Sequence, residues 1–561
     1  ALDRARAMMQ AGDALGAYAI TKAARQAHPG DAPLADAAGD LALKLGDAAS
    51  AAVHFGDAAQ AEPGNADYAC NHAIALQKLG RHAQAIESLA ACEEAGRSNP
   101  RYARLRAASE RALSRPAEAA AWYDTALRLE PRNPRALHGL ARVALERGEA
   151  DALARFDEAL AVNSGDADLW LGKAQALDVA GDTKGARIIA EQVTAQAPGF
   201  IAALEFLSGL KLAAGEADFT SPFADAAKRA PLDPNIPAAH AETLAGLDHA
   251  KQAAEVAAAA RDRFPGEPHF ALIEAIHVGA AGEWERAEAI FATLPTKTPM
   301  RALHEARHRL RENDPQAANL LLDEALRHNA WDISAWALRG IAWRMAGDEQ
   351  AHWLHEQAGL VQLRPLNGRE GLVHDAIGEL RALHEGCAMP LGQSLRGGTQ
   401  TRAILFHRTE PLLAELHQAI LATLEDYRAD LSPHDKTHPL LRHSQSPWQL
   451  AGSWSVRLAG GASAQGGDYH TAHIHPQGIV SSALYLVVPE EAHGPGQHGW
   501  LEVGRPPLDL GLSLDPVRVI EPQVGHLALF PSTLYHGTTK FGGAERMTVA
   551  FDVVPTHGDQ R

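Results

Sequence analysis

The chain has 561 residues, 46% hydrophobic and 22% charged, too long for one ordinary domain and ordinary in composition for a soluble globular protein. Its formal charge of -17 argues against a general nucleic-acid or membrane-surface binder, so neither is expected as a partner. Cys70, Cys92 and Cys387 lack disulfide or metal spacing, which suits a reducing cytoplasm. No run reaches transmembrane length and no charged-then-apolar leader opens the chain. The first residue is Ala, so a removed leader stays open.

The first two thirds repeats. A turn reading Ala-Gly-Asp, Leu-Gly-Asp or Leu-Gly-Arg is marked by Gly12, Gly46, Gly80, Ser114, Gly148, Gly181, Gly215, Asp248, Gly282, Asn313 and Gly347. Successive marks lie 31 to 34 residues apart. Five residues on stands a small residue: Ala17, Ala51, Ala85, Ala119, Ala186, Ala253, Ala287 and Ala318. About seventeen on comes a breaker: Pro29, Pro63, Pro131, Pro198, Pro265, Pro299 and Pro365. This pattern resembles the tetratricopeptide repeat, two antiparallel helices in about 34 residues. The mark needs a positive φ to end the first helix. The alanine lets the two helices approach, and the proline stops the second. Units that cannot bury their apolar faces alone stack into a superhelix with a concave surface. Residues 1–366 are therefore expected to be an all-α array of about eleven units. Its cargo is expected to be a peptide or protein substrate in the groove; self-association as a homodimer, or rigid spacing, is the other use. His304 and His308 share a helix face without a third ligand nearby.

The phase is lost after Pro365. Residues 367–391 read as a linker helix and 392–561 as a separate domain. Glu410 to Arg428 is amphipathic. From Trp448 the period changes to two. Strands are expected at Ser453–Leu458, Ile479–Val488, Gly499–Val503, Val517–Ile520, His526–Phe530 and Arg546–Val554. Helices followed by short strands suggest an α+β domain with a jelly-roll core. His473 and His475 are two apart, so a strand would show both side chains on one face. Phe541-Gly-Gly-Ala544 reads as a hairpin turn, which would place His536 and Arg546 on adjacent strands. After it, Arg546, Thr548, Ala550 and Asp552 share one face of a strand, and Met547, Val549 and Phe551 the other.

Six blocks here resemble the iron- and 2-oxoglutarate-dependent oxygenases, most closely the bacterial group that carries tetratricopeptide repeats ahead of the oxygenase domain. They are Gln393–Thr401, Ser453–Leu458, His473-Ile-His-Pro-Gln-Gly478, Ser481–Tyr485, Leu529-Phe-Pro-Ser532 with His536, and Arg546–Asp552. The resemblance implies a double-stranded β-helix, Fe(II) and 2-oxoglutarate as cofactors, and a hydroxylase. Carried over, it makes His473 and His536 metal ligands and Arg546 the anchor of the 2-oxoglutarate distal carboxylate, with Thr548 helping. Tyr485 and Ser482 are further candidates for the cosubstrate, and Trp454 and Arg457 for the pocket. Arg396 would contact substrate or brace its loop. The family's carboxylate ligand is replaced here by His475. A three-histidine site, a carboxylate from Asp468, ligation by His470, or only two protein ligands are the open alternatives.

The resemblance and the array together imply a dioxygenase that hydroxylates a protein or peptide side chain. Three other readings compete. One is a small-molecule oxygenase with the array as a partner-binding module. Another is a three-histidine dioxygenase that uses no 2-oxo acid. The last is a repeat scaffold with a degenerate oxygenase domain.

Overall fold

The computed structural model describes residues 1–295, 298–387, 391, 394–459 and 467–556. The chain divides into two compact units. One is Ala1–Ala176 with His407–Thr409; the other is Leu177–Phe406 with Glu410–Arg561. Gln393, the first residue of the first resemblance block, lies outside the described residues.

The repeat pattern works as its physics demands. All eleven marks have positive φ: the eight glycines fall between 66° and 87°, and Ser114, Asp248 and Asn313 at 59°, 65° and 59°. All eight alanines five residues on are fully buried. The aspartate that follows four of the marks also has a use. Asp13, Asp47, Asp182 and Asp314 cap the next helix by accepting the N–H of Gly16, Ser50, Gly185 and Ala317 at 2.8–2.9 Å, each cap worth about 1 kcal/mol. Pro29, Pro63, Pro131, Pro198 and Pro265 lie in turns between helices. Pro299 instead opens the helix Pro299–Arg311, where its missing N–H has no intrahelical partner to lose.

The array is shorter at its end than the sequence suggests. After Gly347 only a six-residue helix, Gln350–His355, follows. The chain then enters strand β1, Gln362–Pro365, so Pro365 ends a strand rather than a repeat helix. The boundary expected at 366 thus lies beyond the first strand of the next fold.

The strands of that fold are β2 (Leu395–Arg396), β3 (Thr399–Gln400), β4 (Trp448–Leu458), β5 (Tyr469–His470) and β6 (Val480–Val487). They continue as β7 (Leu501–Val503), β8 (Arg518–Ile520), β9 (His526–Pro531), β10 (His536–Thr538) and β11 (Arg546–Pro555). One sheet runs β1-β9-β6-β11-β4-β3, a second β10-β7-β8, and β2 pairs β5. Every pairing is antiparallel, which is consistent with a jelly-roll-like domain. Helices Leu372–His384 and Pro411–Ala429 cover one face of the large sheet. Leu380, Leu416 and Ile420 pack there on Leu484, Leu527, Val549 and Phe551. On the other face Tyr485 and Phe530 pack with Leu501, Val503 and Ile520 of the small sheet. His536 and Arg546 are not hairpin neighbours. β10 pairs β7, whereas β11 lies between β4 and β6, so residues 539–545 cross between sheets.

Two predictions follow from local physics. Gly80 has φ 71° and open space where a Cβ would sit, whereas Gly64 has the same open space without the left-handed backbone. Gly80→Ala should cost about 1 kcal/mol and Gly64→Ala nothing comparable, measured by urea denaturation. Buried histidines should make the fold acid-sensitive. His438 donates from Nε2 to the Leu354 carbonyl, and its Nδ1 accepts the N–H of Leu440 and Leu441, so it must be neutral. Burial pushes it down to about 4 and His355 down to about 3. The unfolded imidazoles take up protons near pH 6.5 and the folded ones only below about 4. Their stabilisation is complete above 6.5 and lost as pH falls toward 4. The urea midpoint should therefore drop steadily between pH 7 and pH 5.

Candidate metal centre

Three histidines meet between the two sheets. His473 bridges His536 with both backbone hydrogen bonds, at 3.0 and 2.9 Å. The segment carrying His473 and His475 forms no regular strand beyond that bridge. Their side chains nevertheless share a side, with the two Nε2 atoms 3.0 Å apart. One ring nitrogen from each of His473, His475 and His536 lies within 4.8 Å of the others. Gly537 permits this approach. A Cβ there would stand 2.8 Å from the His470 carbonyl oxygen and 3.0 Å from the Ala472 nitrogen.

The outward nitrogens fix the tautomers. His473 Nδ1 donates to the Thr471 carbonyl at 2.8 Å and His536 Nδ1 to the Leu534 carbonyl at 3.2 Å. His475 Nδ1 donates to the Asp552 carboxylate. With each Nδ1 protonated, the Nε2 lone pairs of His473 and His475 face each other, with the Ser394 hydroxyl 3.3 Å from the former and His536 alongside, an arrangement that a shared cation would relieve. Protons are poor candidates for that cation. Burial, then the neighbouring His475, pushes His473 down to about 3, and burial drives His536 well below the usual imidazole range. Neutral imidazoles are the form that binds a metal.

The other residues sort clearly. Asp468 is buried away from the three imidazoles: its backbone bridges Phe541 and its carboxylate accepts the Ala459 N–H at 3.1 Å. His470 stacks on His473 at 6.2 Å between ring centroids, and Ser394 Oγ lies 3.2 Å from its Nδ1; it stands outside the cluster. Arg546 is buried with the Tyr485 hydroxyl as its polar neighbour, and among the described residues its Nε has no well-formed hydrogen bond. The guanidinium carbon lies 5.6 Å from the Tyr485 ring. Among the described residues no carboxylate pairs with Arg546, and Asp552 on the same strand face is taken by His475. Thr548 is buried opposite Tyr485 in the β11–β6 register. Ser482 leaves the candidate set. Its hydroxyl donates to the Phe551 carbonyl and accepts the Phe551 N–H, and three positions from Tyr485 it falls on the opposite strand face.

Arg457 is held by Glu545 at 2.6 Å, Arg396 by Asp248 at 2.6 Å, and Trp454 lies 5.4 Å from the His475 ring. A second candidate cluster, Glu288, His308 and Glu312, sits in the array. There Arg309 bonds both carboxylates at 2.8 and 2.7 Å, which already supplies the cation. Sequence reading missed the role of Asp552, although alternation along β11 had put it on the Arg546 face.

A family model described as "Putative 2OG-Fe(II) oxygenase" matches residues 452–552, and a tetratricopeptide-repeat model matches 42–108 and 150–210. The chain thus carries tetratricopeptide repeats and a C-terminal segment similar to the 2OG-Fe(II) oxygenase family. Solved structures similar to it include the type IV pilus biogenesis factor PilW, at 19% identity over 35% of this chain and 92% of that one, with TM-score 0.32. Pseudomonas aeruginosa PilF gives 19% over 36% and 94%, with TM-score 0.32. A tetratricopeptide-repeat protein from Parabacteroides merdae gives 18% over 42% and 94%, with TM-score 0.33. No curated protein matches the chain. Among the described residues no helix is long and apolar enough to cross a membrane.

The family implies Fe(II) and 2-oxoglutarate. The residues gathered here fit both groups. Three Nε2 lone pairs suit a divalent iron, and a buried, incompletely bonded guanidinium beside a buried hydroxyl suits a carboxylate. Asp552→Asn keeps an acceptor for His475 but removes the charge. It should weaken Co(II) binding about tenfold in chelator competition, with the fold unchanged by circular dichroism.

Proposed function

We propose that the chain is an Fe(II)- and 2-oxoglutarate-dependent hydroxylase acting on a protein or peptide side chain recruited by the repeats. The observation that carries this reading is the presence, in one domain, of three convergent imidazole nitrogens and the buried Arg546, which has no carboxylate partner among the described residues. His473, His475 and His536 would hold the metal. Arg546 and Thr548 would seat the distal carboxylate of the cosubstrate, with the Tyr485 hydroxyl beside them. When bound, iron and 2-oxoglutarate supply the oxidant for inserting oxygen into a C–H bond.

The chain's own part is binding, orientation and exclusion of water. A guanidinium buried by Tyr485 and the sheet keeps its attraction for a carboxylate in a poorly screened setting. Asp552 keeps His475 in one tautomer and places a negative charge behind it through that hydrogen bond. The carboxylate that the family places on the metal would thus act here from one bond further out. Recruitment of a protein chain is supported by the repeats, whose architecture commonly serves protein interaction. A cytoplasmic setting belongs to the same reading and rests on a cysteine content too low for a disulfide framework.

Purified chain loaded with Fe(II) should release succinate from 2-oxoglutarate, and a proteome extract treated with it should gain peptides heavier by about 16 Da, one oxygen atom. Arg546→Gln should abolish succinate release at ordinary cosubstrate levels while Co(II) still binds. Succinate release unaffected by Arg546→Gln would favour an oxygenase without a 2-oxo acid. No 2-oxoglutarate binding and no oxygen consumption would leave the scaffold reading.

A further inference from the structure

The histidines are backed by the repeats. Ile474, between His473 and His475, points away from the cluster and packs against an apolar group built by array helices. That group includes Ala302, Ala306 and Leu310 of Pro299–Arg311, and Leu338 and Ile341 of Ile333–Ala346. Tyr535, immediately before His536, is buried in the same group. The alternation that turns two imidazoles inward therefore turns Ile474 into the repeats.

Polar contacts grip the same places. His536 pairs with Val503 in the β10–β7 register, and the array holds the residue next to each. Arg307 donates from Nη1 to the Tyr535 hydroxyl at 2.9 Å, and from Nε and Nη2 to both Asp509 oxygens at 3.0 and 2.6 Å. Arg311 adds a bond to Asp509 at 2.6 Å. Arg344 donates to the Gly504 carbonyl, and the Gly504 N–H donates to the Tyr535 carbonyl at 2.6 Å. Two residues further back, the Thr533 hydroxyl and His355 Nε2, both buried, lie 3.1 Å apart. A paired two-oxygen grip of this kind fixes direction as well as distance.

We propose that the last repeats, residues 299–355, are a structural part of the metal centre: through Ile474, Tyr535 and Arg307 they set the positions of the three histidines. This rests on the reading of those histidines as metal ligands. The three residues are positioning residues and touch no reacting atom. It follows that the surfaces bearing Arg307, Arg311 and Arg344 are filled by the chain's own 504–515 segment. A recruited partner would use other surfaces of the repeats.

The test is Co(II) binding to the full chain, followed by d–d absorption and chelator competition. Ile474→Ala empties the contact behind the His473–His475 pair. Tyr535→Phe removes one hydroxyl and leaves the packing. Leu204→Ala, in a separate apolar group of the array, controls for general loss of stability. The expected result is a dissociation constant raised about tenfold in each site-backing variant, with an altered absorption envelope, and wild-type binding in Leu204→Ala. Wild-type affinity and spectrum in both Ile474→Ala and Tyr535→Phe would overturn the proposal, as would equal weakening in Leu204→Ala. A wild-type chain that binds no Co(II) would instead remove the ligand reading itself, and this inference with it.

Discussion

Strand β11 is the constraint on which the C-terminal domain depends. It is paired on both sides, to β4 and to β6, so it cannot shift without breaking two ladders. Its period of two divides the molecule's work. Met547, Val549 and Phe551 are fully buried toward the covering helices, while Arg546, Thr548 and Asp552 alternate with them, Thr548 opposite Tyr485 and Asp552 bonded to His475. A slip of one residue would bury a guanidinium and a carboxylate among leucines and expel three apolar side chains. Burial of the apolar face thereby fixes the chemical face.

The second organising fact is electrostatic. Three neutral imidazoles would leave a divalent ion less compensated than two imidazoles and a carboxylate. The nearest compensating charge is Asp552, one hydrogen bond behind His475. An outer carboxylate strengthens its imidazole as a donor without occupying a coordination position. Such a change is expected to bear on metal affinity and redox behaviour more than on the number of open positions.

The repeats serve two physical ends. Their turns recur because a left-handed residue stops one helix, and at four of the eleven marks a capping aspartate then starts the next. Ser114, Asp248 and Asn313 adopt that backbone without glycine, and at Asp248 the side chain is used to hold Arg396. At the end of the array the logic changes. The helices there bury Leu510, Tyr535 and Ile474 rather than another repeat, so the oxygenase-type domain closes an apolar edge that a further unit would otherwise cover.

Much of this was legible in the sequence. The marks and alanines announced the array, the alternation along β11 placed Arg546 with Asp552, and the His473–His475 spacing gave two side chains on one side. These are local periodicities, set by 3.6 or 2 residues per repeat and by the steric needs of a positive φ. Four features lay beyond it: the start of the sheet at Gln362, the separation of His536 and Arg546 into different sheets, the withdrawal of Ser482, and the grip of Arg307 on Asp509 and Tyr535. Each depends on which distant strand or helix a segment meets. Residues some two hundred positions apart become neighbours only when burial of apolar faces selects one packing, and the sequence carries no local signal of that choice.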